Sequence, residues 1–144
     1  MTTRTTSAPS RWIIGLTAVI TVLPLMGCSA AAESNCEGLY EGLAESVKGV
    51  ESADFDCTKG PSGESTLGKV YVADDVTEDQ ATAILEEVYK AYARQPEIDS
   101  AQRPSFGIVS ENGSLAVGAD KLGFDGGPNM NEVREKYGIN PGDS

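Results

Sequence analysis

The segment TEDQATAILEEVYKAY, residues 77–92, decides the fold, because it predicts a long helix with one apolar face. Its first four residues match a capping box, in which the Thr77 hydroxyl and the Gln80 side chain would each accept a backbone N–H of the first turn. Apolar side chains then recur at helical spacing, at Ala81, Ile84, Leu85, Val88, Tyr89 and Tyr92. Such a stripe is stable when it packs against another element, so the helix predicts a second layer.

The segment before this helix predicts a shorter helix followed by a strand. Residues 34–37, SNCE, match a second capping box, and Lys48-Gly49 reads as the C-terminal cap of the same helix. Apolar residues recur at helical spacing between these caps, at Leu39, Leu43 and Val47. Residues 51–57 then alternate as a strand does, with one face made by Ala53, Phe55 and Cys57.

The lengths of these two elements predict a disulfide between Cys36 and Cys57. A helix from residue 36 to 48 rises about 18 Å, and a strand from 51 to 57 returns about 20 Å, so the two cysteines meet. The enclosed loop would stabilise the fold by roughly 3 kcal/mol in the chain-entropy model. The alternative is a pair of free thiols or a metal pair, but the chain has no histidine that could complete a metal site.

A second pair of strands follows the long helix as a hairpin. Asn112-Gly113 is the preferred sequence of a two-residue type I′ turn, which would place Glu111 opposite Ser114 and Ile108 opposite Val117. The same register places Phe106 opposite Ala119. One face of this hairpin then carries apolar side chains, namely Phe106, Ile108, Leu115 and Val117. The agreement between turn and pattern supports the pairing.

With one further strand at residues 66–73, the order is αββαββ, which predicts an α+β domain over residues 35–120. We expect a two-layer sandwich of a four-stranded antiparallel sheet with both helices on one face, a permuted ferredoxin-like arrangement. The opposite sheet face would carry Leu67, Tyr71 and Val109, and is the surface to inspect for binding. Residues 121–144 are a Gly- and Pro-rich segment with a short helix, whose apolar residues are Met130, Val133 and Tyr137.

The first 27 residues have the features of an export signal. Arg4 and Arg11 precede the apolar run of residues 12–26, and the segment contains no acidic residue. The run is shorter than the about 20 residues that a membrane-spanning helix needs. It ends in Leu25-Met26-Gly27-Cys28, which resembles the lipobox of bacterial lipoproteins. The resemblance implies cleavage after Gly27 and lipid on Cys28, with residues 28–34 as attachment site and linker; the alternative is an ordinary signal peptide cut within residues 28–32.

Charge and composition exclude several classes of function. The residues after Gly27 hold all 22 acids but nine of the 11 basic residues, so their net charge is −13. This charge repels polyanions, and nucleic acid is therefore excluded as a partner. The lack of histidine excludes histidine-based acid–base catalysis and imidazole metal ligation. Phosphate-binding, dinucleotide-binding and nucleophile-elbow motifs are also missing, so we expect no catalytic residues and no cofactor.

Three groups of acids could supply oxygen ligands to calcium, but each group has a simpler interpretation. Asp54 and Asp56 alternate with apolar residues, as on a solvated strand face. Residues 74–79 hold four acids at a helix start, where the macrodipole favours negative charge. Asp120 and Asp125 lie in a segment typical of a turn. No metal site is therefore predicted.

The sequence as a whole predicts a non-catalytic binding or accessory module, anchored by lipid on the outer side of the cytoplasmic membrane. Its partners would be the membrane, through Cys28, and a membrane-proximal protein. A carboxylate-based enzyme and a structural or maintenance protein of the cell envelope are the alternatives.

Overall fold

The computed structural model describes residues 35–61 and 63–143. Helix α1 (Cys36–Glu45) is followed by strands β1 (Ser52–Gly60) and β2 (Gly63–Val72). Helix α2 (Glu78–Arg94) then leads to strands β3 (Ser105–Ser110) and β4 (Ala116–Val117). A 3₁₀ turn (Ala119–Leu122) and helix α3 (Met130–Tyr137) complete the order. Within the described ranges, every helix is too short or too polar to cross a membrane.

The four strands form one mixed sheet in the order β1-β2-β3-β4. The outer pairs, β1 with β2 and β3 with β4, are antiparallel, whereas β2 and β3 are parallel. The predicted α+β class and four strands are therefore confirmed, but the prediction of an antiparallel sheet is wrong. The 17 residues of α2 cross the sheet face and return the chain in its original direction, which makes the strands on either side parallel. The permuted ferredoxin-like arrangement, which requires an antiparallel sheet, is not confirmed.

Helix α2 has the caps and the buried face that the sequence predicts. The Thr77 hydroxyl accepts the Gln80 N–H, and the Gln80 side chain accepts the Thr77 N–H in return. Five of the six predicted stripe residues are fully buried, namely Ala81, Leu85, Val88, Tyr89 and Tyr92, and Ile84 is half-buried. The helix lies against the sheet through this stripe and forms the second layer of the domain.

Aromatic rings fill the space between the sheet and helices α1 and α2. The rings of Tyr40 and Tyr92 meet edge to face with their centroids 4.9 Å apart, and Phe55 stacks on Tyr40 at 5.5 Å. The Tyr92 hydroxyl donates to the backbone carbonyl of Tyr40 at 3.0 Å. Gly68 lies directly under Phe55, where a β-carbon would clash with the ring. Because Gly68 has no side chain, the Phe55 ring can pack into the core at this position.

The β3–β4 hairpin has the predicted register but a different turn. Ile108 lies opposite Val117, as expected. The Gly113 N–H donates to the Ser110 carbonyl at 2.9 Å, so the central turn residues are Glu111 and Asn112, one place earlier than predicted. Gly113 follows in a left-handed conformation, with φ of 71°. The prediction of a two-residue turn at Asn112-Gly113 is therefore wrong. The side chains of Asn112 and Ser110 accept the N–H groups of Ser114 and Leu115, and these bonds favour a loop longer than two residues.

Helix α3 packs on α2 and belongs to the same core, since Met130 and Val133 are fully buried. Its Arg134 is also buried, and it lies at the C-terminal end of α2. The guanidinium donates to three backbone carbonyls and one hydroxyl at 2.8–2.9 Å, those of Ala93, Gln95, Ile98 and Ser100. One cationic side chain therefore joins α3 to the end of α2 and to the loop that follows it.

Candidate functional site

The predicted disulfide between Cys36 and Cys57 is present, with the two Cα atoms 6.2 Å apart. It joins the first turn of α1 to the edge strand β1, and the Thr66 hydroxyl lies about 4 Å from both sulfurs. The two sulfurs and a Glu64 carboxylate oxygen are also close enough to form a group of potential metal ligands. Because the sulfurs are bonded to each other, they are not available as thiolate ligands.

Helix α1 differs from its prediction at both ends. Asn35, not Ser34, is the N-cap, and its side chain accepts the Gly38 N–H at 3.0 Å. The helix ends at Glu45, three residues before Lys48. Gly49 still adopts the left-handed conformation expected after a helix, with φ of 98°. The shorter helix leaves room for the chain to turn into β1.

Three glutamates of α1 form a ladder along the outer edge of β1. The side chains of Glu37, Glu41 and Glu45 accept the backbone N–H groups of Cys57, Phe55 and Ala53, at 3.5, 3.2 and 3.4 Å respectively. The spacings match, since four helix residues advance about 6 Å and two strand residues about 6.6 Å. We call this set the glutamate ladder.

The glutamate ladder and the disulfide close the β1 edge of the sheet. An edge strand with free N–H groups is a template for pairing with another chain, and charged side chains or a covering helix prevent it. The opposite edge strand, β4, has two residues, and Gly118 then leads into the 3₁₀ turn. Neither edge therefore offers a long row of backbone groups to a partner strand.

A cavity of about 370 Å³ opens beside the disulfide. Its lining combines acids, amides and apolar groups, namely Asn35, Cys36, Leu39, Tyr40, Glu64, Glu97 and Gln102. The Tyr40 hydroxyl donates to the Gln102 side chain at 3.1 Å. Burial raises the pKa of Tyr40 to about 12, so the phenol stays protonated at neutral pH and acts as a hydrogen-bond donor. The size and lining of this cavity suit a small polar molecule.

The second candidate is the sheet face that α1 and α2 leave uncovered, which we call the open face. Its side chains lie in cross-strand rows: Tyr71 with Val109 and Ala116, Asp54 with Lys69, and Asp56 with Leu67 and Ser105. Leu67 is 56% exposed and is the most exposed large apolar side chain of the described residues. The sequence prediction that Leu67, Tyr71 and Val109 share the face opposite the helices agrees with this register.

A shallow groove of about 350 Å³ crosses the open face. The side chains of Leu67 and Tyr71 contribute apolar walls, and Asp54 and Asp56 line it from the neighbouring strand. Both aspartates are exposed, in agreement with the interpretation of Asp54 and Asp56 as a solvated strand face. Lys69 lies between the apolar walls, directly opposite Asp54.

Carboxylates also gather at one end of the sheet, where β2 and β3 end. The acidic end consists of Glu51, Asp74, Asp75 and Glu111. Repulsion by Glu111 raises the pKa of Glu51, with smaller contributions from Asp74 and Asp75. One Asp74 oxygen accepts the Asn112 N–H at 2.8 Å and so supports the hairpin turn.

The other acids of the three candidate calcium groups lie in different places. Glu78 forms an ion pair with Lys121 at 2.6 Å, and Asp79 lies in the first turn of α2. Asp120 is in the first turn of the 3₁₀ helix, and Asp125 is an exposed residue of the loop before α3. Within residues 35–61 and 63–143, no trio of acids has oxygen atoms close enough to share one ion.

Sequence reasoning missed three features of these surfaces: the glutamate ladder, the clustering at the acidic end, and buried Arg134. The sequence does contain a signal for the glutamate ladder. Three glutamates at four-residue spacing on one helix repel one another, which suggests that a neighbouring element supplies hydrogen-bond donors to them. Arg134 had no such signal, since its acceptors are backbone carbonyls from a distant part of the chain. Cys28, the predicted lipid-attachment residue, lies outside the described residues.

Comparisons with known proteins assign no family to these sites. No family model and no curated protein matches this chain. Any function proposed for it therefore rests on its own residues.

Proposed function

We propose that this protein is a lipid-anchored, non-catalytic binding module on the outer side of the cytoplasmic membrane. The observation that carries the proposal is the Cys36–Cys57 disulfide, eight residues after the cysteine of the lipobox. Disulfides persist in oxidising compartments outside the cytoplasm. Two independent parts of the chain, the signal and the first helix–strand pair, are thus consistent with the same location.

The proposed anchor holds the domain close to the bilayer. Asn35, the N-cap of α1, follows Cys28 by seven residues, and the intervening residues 29–34 reach at most about 20 Å when extended. A tether of this length restricts the domain to a thin layer above the membrane. We therefore expect a partner that is itself in the membrane or next to it.

Binding is favoured over catalysis by the surroundings of the titratable groups. Groups with shifted pKa values cluster in the clefts of active sites. Among the carboxyl groups of the described residues, the one with a raised pKa is that of Glu51, which is exposed at the acidic end. The Tyr40 phenol beside the cavity keeps its proton. The row of Tyr71, Val109 and Ala116 across three strands of the open face is instead the kind of apolar surface that contacts a partner.

Changing Cys28 to Ala tests the anchor. The variant should lose labelling with palmitate and should leave the detergent phase in a phase-partition experiment. A matched control is the pair Cys36→Ser and Cys57→Ser, which removes the other two cysteines of the chain but should keep the label. Unchanged labelling of the Cys28→Ala protein would contradict the proposed anchor.

Lengthening the linker tests the membrane-proximal role. About 30 Gly and Ser residues inserted after Ser34 would spread the domain through a larger volume and lower its effective concentration near a membrane partner. Crosslinking to membrane proteins should decrease, while lipidation and thermal unfolding stay unchanged. An equal crosslinking yield would argue against a partner in or near the membrane.

A further inference from the structure

The open face carries an apolar strip that helices α1 and α2 leave uncovered. The strip consists of Tyr71, Val109 and Ala116, which are direct neighbours across three strands. Leu67 lies on the same face four residues before Tyr71, and Lys69 separates the two side chains. Tyr71 and Val109 are half-buried, whereas Leu67 and Ala116 are exposed. A single exposed leucine is ordinary on a protein surface, but a strip across three strands marks a surface suited to contact.

The charges around this strip are mainly negative. Asp54 and Asp56 line the groove from β1, and Lys69 provides one positive charge opposite Asp54. The acidic end adds further carboxylates beyond Tyr71, and the raised pKa of Glu51 reflects their mutual repulsion. A cationic partner would relieve this repulsion, and an anionic partner would increase it.

The closed edges and the net charge restrict how a partner can bind. The glutamate ladder occupies the N–H groups of Ala53, Phe55 and Cys57, so a partner strand cannot pair with β1 at these positions. A net charge of −13 after Gly27 opposes association of two copies and opposes contact with an anionic bilayer. These observations favour a partner with a basic segment that binds to the open face.

We propose that the open face docks a basic segment of another, membrane-proximal protein, a proposal that rests on the anchored binding function given above. Aliphatic parts of the partner's lysine or arginine side chains would pack on Leu67 and Tyr71, and their charged ends would reach Asp54 and Asp56. Long basic side chains combine these two properties, since their stems are apolar and their tips are charged. Lys69 opposes such a partner and so weakens binding.

A peptide of defined sequence tests whether the charges of the open face control binding of a basic partner. The full lipidated protein is placed in phosphatidylcholine nanodiscs, and binding of a fluorescent peptide of alternating arginine and leucine is followed by anisotropy. Asp54→Asn with Asp56→Asn should weaken binding about fivefold, as expected for the loss of two exposed charge contacts. Lys69→Gln should strengthen binding, and added salt should reduce both differences.

A matched control separates this site from general attraction by net charge. Asp125→Asn with Glu135→Gln removes the same charge from exposed positions in the loop before α3 and on α3. This control should bind the peptide as the unchanged protein does. Equal weakening by the two double variants, or no effect of Lys69→Gln, would overturn the proposal.

A photo-crosslinking residue at position 67 identifies what covers the face. Leu67 is exposed, so its replacement should leave thermal unfolding unchanged. Crosslinks to the basic peptide, lost in the Asp54→Asn and Asp56→Asn protein, would support the proposal. Crosslinks to nanodisc lipid or to a second copy of the chain would overturn it.

These experiments test the anchor proposal and the docking proposal independently. If the peptide does not bind but labelling still depends on Cys28, the docking proposal is wrong and the anchor stands. If the Cys28→Ala protein keeps its label, the anchor is wrong whatever the peptide does.

Discussion

Glu41 of α1 accepts the backbone N–H of Phe55 in the edge strand β1 at 3.2 Å. Phe55 also turns its ring into the aromatic core, where it stacks on Tyr40 from the same helix. One strand residue is thus held by α1 through both its backbone and its side chain. The contact explains how an exposed edge strand and a short helix stabilise each other at the border of the sheet.

Replacing Glu41 tests this contact. Glu41→Ala should lower the free energy of unfolding by about 1–2 kcal/mol, because the Phe55 N–H loses a charged acceptor. Glu41→Gln keeps an acceptor oxygen and should recover most of the loss. Urea unfolding gives the energies, and hydrogen exchange of the Phe55 amide should be faster in the alanine variant. Equal stability of all three proteins would show that the ladder contributes nothing.

Tyr89 and Tyr92 give opposite predictions for the same chemical change. Among the described residues, the Tyr89 hydroxyl is the one buried side-chain polar atom without a hydrogen-bond partner. Tyr89→Phe should therefore raise stability by about 1 kcal/mol, whereas Tyr92→Phe should lower it by a similar amount, because the Tyr40 carbonyl loses its donor. Thermal unfolding of the two variants checks the contrast. A loss of stability in Tyr89→Phe would reveal a partner for that hydroxyl.

Arg134 should be one of the most sensitive polar residues in the domain. Arg134→Ala leaves the carbonyls of Ala93, Gln95 and Ile98 without their donor, and should cost at least about 3 kcal/mol. Arg134→Lys keeps the charge but lacks the planar fork, and should recover a minor part. Urea unfolding measures both, with the exposed Arg103 as the site of a matched Arg→Ala control. A full recovery by lysine would mean that charge alone matters there.

Glu51 gives a pH-dependent prediction. Because Glu111 raises its pKa in the folded state, deprotonated Glu51 is less favourable in the folded than in the unfolded chain. Its contribution to stability is therefore highest below the unfolded pKa and is lost as the pH rises through the raised folded value. Glu51→Gln should raise stability at neutral pH, but not in acid, and salt should reduce the gain.

The matched control for Glu51 is Asp125→Asn, which removes one negative charge from an exposed loop. This variant should change stability less than Glu51→Gln at neutral pH. Denaturant unfolding at several pH values gives the comparison. A Glu51→Gln gain that is independent of pH would contradict repulsion as its cause.

The disulfide should contribute about 3 kcal/mol to stability, since it closes a loop with a sequence separation of 21. The double change Cys36→Ser with Cys57→Ser, and reduction of the unchanged protein, should give the same loss in urea unfolding. Cys28→Ala provides the control and should leave the unfolding of the domain unchanged. Free thiols at residues 36 and 57, detected by alkylation without a reductant, would contradict the bridge.

The sequence by itself predicted the features that depend on neighbouring residues. The capping box and buried stripe of α2 are local patterns, and the opposition of Ile108 and Val117 depends on a short loop. The bond between Cys36 and Cys57 could also be predicted, because the rise of a helix and the length of a strand are fixed by backbone geometry. The apolar strip of the open face could be predicted from strand alternation.

Only the tertiary structure decided the features that join distant parts of the chain. The parallel pairing of β2 and β3 depends on the path of α2 across the sheet, and the pattern within each strand does not give its direction relative to its neighbour. The glutamate ladder required α1 to lie along the β1 edge, and Arg134 required α3 to reach the end of α2. Backbone N–H and carbonyl groups are the same at every residue, so the sequence cannot indicate which of them a charged side chain will meet. That choice depends on the packing of whole helices and strands.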